Sequence, residues 1–258
     1  MPVMTVVRAS ARAVRPGLPV ASPGRVDSAV MVDPGQRVVV RRDGPYRVEG
    51  GLPLLRTAIV KTERGEPVAW DEGPDFETGT TYELCRCGNS SNKPFCDSTH
   101  ERIPFDGTEK ADRGPIAARR ETWEGEGGVQ LYDDFSICTH AGFCRNVRTG
   151  VWEMLEEADD PEVRAELIAM VSRCPSGRLA HAVAPDPEPV ERTFEPSIGV
   201  EPNGPLWVRG GVPVVSEDGA AYEVRNRQTL CRCGRSQNKP FCDGSHERHL
   251  FTDLAMPR

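Results

Sequence analysis

The 258-residue chain is poor in aromatics, has no long apolar run and carries no acidic residue before Asp27. Each shortage excludes something. No stretch of about 18 apolar residues occurs, so no membrane span is expected. No short charged leader followed by an apolar segment opens the chain, so an oxidising compartment is not indicated. The acid-free start, with Arg8, Arg12, Arg15 and Arg25, has the bias of an organelle transit peptide. Pro2, Pro16, Pro19 and Pro23 leave little room for the amphipathic helix that such a peptide needs. We read residues 1–35 as a flexible tail on a cytoplasmic bacterial protein, with organelle targeting as the alternative. Basic charge is also lacking, since the net charge is −7, and a nucleic-acid binder would show the opposite sign. No Ser/His/Asp set, phosphate-cradling glycine loop or catalytic carboxylate pair stands out, so no enzyme is expected. Hydrophobics at 38% and aromatics at 6%, against 25 Gly and 23 Pro, describe thin cores. Small domains of that kind need a staple such as a metal or a disulfide.

The nine cysteines are the candidates, and an odd number argues against a closed disulfide framework. Six of them fall in a repeat. Residues 85–102 read CRCGNSSNKPFCDSTHER and residues 231–248 read CRCGRSQNKPFCDGSHER, identical at 14 of 18 positions. Each copy has a similar lead, GPYRVEGGLPL from Gly44 and GPLWVRGGVPV from Gly204. The offset is 160 at the leads and 146 at the cysteines, so the first copy has 14 extra residues, placed in an acidic loop around Asp71–Glu77. The leads alternate like strands and end in Gly-Gly-x-Pro turns, and Val38–Val40 and Ile59–Val60 suggest further strands. In the stretch between the copies, Asp160-Pro161-Glu162 marks a helix start. Val163, Leu167, Ile168 and Val171 give that helix an apolar stripe, and Cys174-Pro175 ends it. The charged run near 108–126 and the Pro-rich segment near 185–205 read as linkers.

The duplicated motif has the donor set of a metal site. Cys85 and Cys87 are two apart, so an extended backbone points both thiols to one side. Cys96 and His100 are four apart, one helical turn. Cys231, Cys233, Cys242 and His246 repeat the pattern. A helix start beside them would favour an anionic group. A structural zinc is one reading of Cys₃His, although zinc fingers usually use C-x₂₋₄-C knuckles. The run C-x-C-x₂-S-x₃-P-x-C-D-x₂-H resembles the CDGSH iron–sulfur domain of the mitoNEET-like proteins. The resemblance covers both motifs and their leads, about half of the chain. It implies one [2Fe–2S] cluster per copy, with Cys85 and Cys87 on one iron and Cys96 and His100 on the other, and likewise in the second copy. It also leads us to expect that the two copies pair within the chain as a pseudo-dimer. Ser98 departs from the glycine that Gly244 keeps. If that position is left-handed, the serine costs about 1–2 kcal/mol.

Cys138, Cys144 and Cys174 remain. Three cysteines, the last followed by proline, with the capped helix before it, look like a single-cluster bacterial ferredoxin. Ala141 stands where that pattern has its second cysteine. The resemblance therefore implies a [3Fe–4S] cluster, or a [4Fe–4S] cluster with a substitute ligand. His140 is the candidate substitute, and a solvent-facing loop histidine is the equal alternative. Buried free thiols are the plain alternative for the cysteines. The expected fold class is α+β and β-rich. Its parts are a first CDGSH-type domain at 36–108, a small α+β ferredoxin-like domain at 125–185 and a second CDGSH-type domain at 198–258.

Three clusters in one small chain suggest electron transfer, with an unidentified redox partner. Histidine ligation would raise the potential of the duplicated sites. Cluster storage or transfer to an acceptor, redox sensing, and a zinc-stapled interaction module are the alternatives. Lys93 and Lys239 lie inside the motifs, where they either offset cluster charge and dock an acidic partner or are exposed loop lysines. His181 and His249 are expected at the surface, and Trp70, Trp123, Trp152 and Trp207 in small cores.

Overall fold

The structure, a computed structural model, describes residues 32–253. The tail expected at 1–35, with its alternative as a targeting segment, falls almost wholly outside the described residues. The first repeat forms β1 (Arg37–Val40), β2 (Tyr46–Glu49), β3 (Leu54–Lys61), β4 (Pro67–Asp75) and β5 (Thr81–Leu84). The middle segment forms β6 (Glu121–Glu124), β7 (Val129–Asp133), α1 (Pro161–Ser172), β8 (Leu179–Val183) and β9 (Asp186–Val190). The second repeat forms β10 (Ser197–Val200), β11 (Leu206–Arg209), β12 (Val214–Ser216), β13 (Arg227–Leu230) and α2 (Ser245–Arg248). The fold is β-rich α+β.

The two repeats share their sheets. One sheet has the order β12-β1-β2-β5 and the other β13-β11-β10-β3-β4. The third strand of each repeat runs parallel to the first strand of the other, with Val38 opposite Val214 and Leu54 opposite Ile198. These pairs exchange under the 160-residue offset, so the crossing is reciprocal. The Gly-Gly turns make it possible, because Gly50, Gly51, Gly210 and Gly211 all have positive φ and hand the chain from one sheet to the other. The inward face of every lead strand contributes to one core, in which Val38, Tyr46, Val48 and Leu54 meet Ile198, Val200, Val208 and Val214. Neither repeat encloses that core alone.

The middle segment is a four-stranded antiparallel sheet, β6-β7-β8-β9, covered by α1. Asp160 caps the helix by accepting hydrogen bonds from the amides of Glu162 and Val163, and Leu167, Met170 and Val171 are its buried stripe. They pack on Val129, Leu131, Val151 and Leu155 in a separate core.

Four expectations change. The 14 extra residues are not an acidic loop but part of the hairpin β3–β4; on this edge strand the acids face solvent and Trp70 packs inward against Trp207. The linker at 108–126 includes the edge strand β6 and that at 185–205 the edge strand β9, where prolines and acids are tolerated; the latter also runs into β10, a buried inner strand without proline or acid. His181 is buried, since β8 lies between two strands and its open face is closed by Arg227 and Glu191. Trp123, on the outermost strand, is exposed. No helix among the described residues is long and apolar enough to cross a membrane.

Candidate metal centres

Each duplicated motif begins where an end strand of one of the two shared sheets finishes. Cys85 and Cys231 directly follow β5 and β13, and the backbone folds back so that Cys85 N–H donates to the Pro94 carbonyl and Cys231 N–H to that of Pro240. The thiols of Cys85 and Cys87 are 3.8 Å apart, and those of Cys231 and Cys233 are 3.7 Å apart. Cys96 Sγ is 3.5 Å from His100 Nδ1, and Cys242 Sγ is 3.3 Å from His246 Nδ1. Two thiolates on one tetrahedral metal with bonds of about 2.3 Å lie about 3.8 Å apart, and a thiolate and an imidazole about 3.6 Å apart. Each pair therefore fits one metal. Among the described residues, no group of three or more Cys, His, Asp or Glu is placed to hold a single ion. The donors come in pairs, two pairs to each motif.

Within each C-x-C pair the first thiol is depressed, Cys85 to about 6 and Cys231 to about 7, chiefly by the hydrogen bond from its neighbour's thiol. Cys87 and Cys233 are pushed up in return. The first thiol of each motif is thus shifted toward the thiolate, the form that binds metal. Lys93 and Lys239 lower these same thiols and tie their loops by donating to the carbonyls of Ser90 and Ser236. Lys239 is buried, so it is not an exposed loop lysine. Asp97 accepts from Ser91 N and Thr99 N, and Asp243 from Gln237 N and Ser245 N, which closes each loop. Burial lowers His246 to about 4, keeping it in the neutral form that can bind metal.

The two motifs meet. Gly88 and Gly234 have φ of 80° and 76°. A Cβ on Gly88 would lie 2.5 Å from the Cys233 carbonyl oxygen, and one on Gly234 would lie 2.6 Å from that of Cys87. The glycine after each C-x-C serves the sharp turn and also lets the opposite loop approach. Tyr46 adds a link, with its hydroxyl 2.8 Å from the Cys231 carbonyl oxygen and 2.9 Å from that of Pro240. The motifs differ in exposure. Cys242 and His246 are buried, whereas Cys96 and His100 are half-buried. Ser98 has φ 61° and Gly244 φ 76°, so the serine does occupy a left-handed position.

The remaining cysteines also come together. Cys138, Cys144 and Cys174 line one cavity of about 140 Å³ with His140, Ala141 and Arg178, about ten times the space one water needs. Cys138 follows a turn capped by Asp134, Cys144 bonds through its carbonyl to Val151 N–H, and Cys174 follows the end of α1. Sequence reasoning missed Arg178. Its Nη1 lies 3.1 Å from Cys138 Sγ, while Nε and Nη2 grip Asp133 at 2.6 and 2.8 Å. This buried cation favours an anionic sulfur. Arg227 was missed as well: from β13 it donates to the carbonyls of Cys174 and Leu179 and pairs with Glu191. A buried charge demands partners, but nothing local names them. His140 is exposed and lines the cysteine cavity.

Known protein families match three segments. The iron-binding zinc finger of CDGSH type matches residues 43–101 and 203–247. The divergent 4Fe–4S mono-cluster family matches residues 125–184. Neither a curated protein nor a solved structure matches the chain.

Proposed function

From a chain that carries two CDGSH-type iron-binding segments around a divergent 4Fe–4S mono-cluster segment, we propose an electron-transfer protein with three clusters and no catalytic activity of its own. Cys85, Cys87, Cys96 and His100 would hold one [2Fe–2S] cluster, and Cys231, Cys233, Cys242 and His246 another. Cys138, Cys144 and Cys174 would hold a [3Fe–4S] or [4Fe–4S] cluster. Bound there, such clusters supply one-electron redox chemistry. The paired donors carry the reading: four pairs spaced at 3.3–3.8 Å suit binuclear sites, and three cysteines around one cavity suit a larger cluster. The protein supplies thiols lowered toward ionisation at Cys85 and Cys231, a neutral His246 and, at Arg178, a fixed positive charge. An EPR-monitored redox titration is the test. Reversible one-electron steps at three centres, with iron retained through repeated cycles, are expected. Irreversible loss of iron on reduction would overturn the reading.

The repeats are read as a pseudo-dimer within one chain, supported by the reciprocal strand pairing. Light scattering should then give the mass of a monomer, and a dimer assembled by exchanging repeats between chains would contradict it.

The difference in exposure supports a second role for the first motif, release of its cluster to an acceptor. On acidification, the half-buried Cys96–His100 pair is open to protons. His246, depressed by burial, stays neutral until pH falls toward about 4. Chains keeping only one motif, made with Cys96→Ser or Cys242→Ser, separate the two sites. The visible absorbance of the first motif should fade at higher pH than that of the second. Identical acid profiles would remove the distinction.

A further inference from the structure

His140 stands where two sites meet. It follows Cys138 by two residues and lines the central cysteine cavity. It also lines a second cavity with His246, Glu201 and Phe251 of the second repeat. Its φ is 59°, a left-handed state uncommon outside glycine but several-fold enriched for His, Asn and Asp. Its ring lies directly on Gly244, where an added Cβ would be 2.1 Å from Cδ2 and 2.9 Å from Nε2. Gly244 is two residues from both Cys242 and His246. One imidazole therefore spans the loop of Cys138 and the loop of Cys242 and His246.

Other bonds fix the middle segment against the second repeat. Asn238 Nδ2 donates to the Ser136 carbonyl at 3.1 Å, Arg225 Nη1 to that of Ser176 at 3.1 Å and Arg227 Nη1 to that of Cys174 at 2.7 Å. The first repeat differs at this point. Ser98, the counterpart of Gly244, is exposed and carries its own Cβ. Backbone conformation does not explain why one repeat keeps glycine, because both positions are left-handed. The covering ring does.

Resting on the iron–sulfur reading, we propose that His140 is the bridging residue that couples the central site to the second CDGSH-type site. The first CDGSH-type site joins the path through the second, where Gly88 meets Cys233 and Gly234 meets Cys87. The step that His140 would serve is the passage of a single electron, lost by a cluster held at Cys138, Cys144 and Cys174 and gained by one held at Cys231, Cys233, Cys242 and His246, with no bond formed or broken. The half-buried first motif is then the end of the path that faces an outside redox protein.

The test uses the anaerobic, cluster-loaded full chain with a ruthenium photoreductant, followed by freeze-quench EPR. His140→Ala and Gly244→Ser are compared with the wild type; the latter copies the first repeat and leaves His140 and every cysteine in place. Both variants should slow passage of the electron from the central to the second cluster several-fold. Both should also reduce the relaxation enhancement that one spin gives the other, with iron content and the first-site signal unchanged. Wild-type rates and relaxation in both variants would overturn the proposal. So would loss of the central cluster in His140→Ala with Gly244→Ser at the wild-type value, which would make His140 a ligand instead. A wild-type chain free of iron would overturn the iron–sulfur reading itself, a failure visible before any variant is made.

Discussion

Replacing Gly88 with alanine should cost about 2–5 kcal/mol and strip iron from both CDGSH-type sites, although the change lies in only one of them. Two effects add. The backbone is left-handed, with φ 80°, which costs a side chain about 1–2 kcal/mol. The new methyl also meets the Cys233 carbonyl oxygen at 2.5 Å. That neighbour is backbone and cannot rotate away, so the opposite loop must move, at about 1–3 kcal/mol for overpacking. Gly234→Ala should act in the same way through Cys87. Gly65 supplies the control: its φ is 85°, yet nothing lies within 4 Å of an added Cβ. Gly65→Ala should show the backbone cost alone and keep full iron. Denaturant melts and iron per chain measure both quantities. If Gly88→Ala and Gly65→Ala behave alike, the two motifs do not meet as described.

The second large effect belongs to Arg178. Arg178→Met should destabilise the middle segment by about 3–5 kcal/mol, because it leaves Asp133 buried without its cation. Asp133 is nearly inaccessible and receives both Nε and Nη2 of the arginine. The same substitution removes the hydrogen bond from Arg178 to Cys138 Sγ, so the central EPR signal should weaken or shift while the two CDGSH-type signals stay. Adding Asp133→Leu removes the stranded carboxylate. The double variant should regain most of the melting temperature without recovering the central signal, separating the structural role of the pair from its role at the sulfur. A central signal and melting temperature unchanged in Arg178→Met would count against this placement.

Much of the site could be read from the sequence because it is local. The C-x-C and C-x₃-H spacings fix which donors pair, since the period of an extended strand or a helical turn brings them together within a few residues. The capped helix before Cys174 was legible for the same reason, from Asp160, Pro161 and the apolar stripe. What escaped the sequence is non-local. Val38 meets Val214 and Leu54 meets Ile198 across more than 140 residues, and no single strand's pattern names its partner. Strand β4 was mistaken for a loop around Asp71–Glu77 because its acids suggested solvent, whereas this edge strand exposes its acids and packs Trp70 against Trp207. His181 looked like a surface residue because a strand's sequence does not say that Arg227, from another repeat, will cover it. The same gap hid the contact of His140 with Gly244, although the Gly-to-Ser difference between the repeats was its visible trace.

The account stands on three clusters, two held by paired donors and one by three cysteines around a cavity, and metal content with EPR tests it most directly. The chain is purified anaerobically, assayed for iron, sulfide and zinc, and its spectra are recorded before and after dithionite. The account predicts about seven or eight irons per chain, matching acid-labile sulfide, and at least two distinct cluster signals. A colourless, EPR-silent protein with about three zinc ions would contradict it and leave a zinc-stapled interaction module.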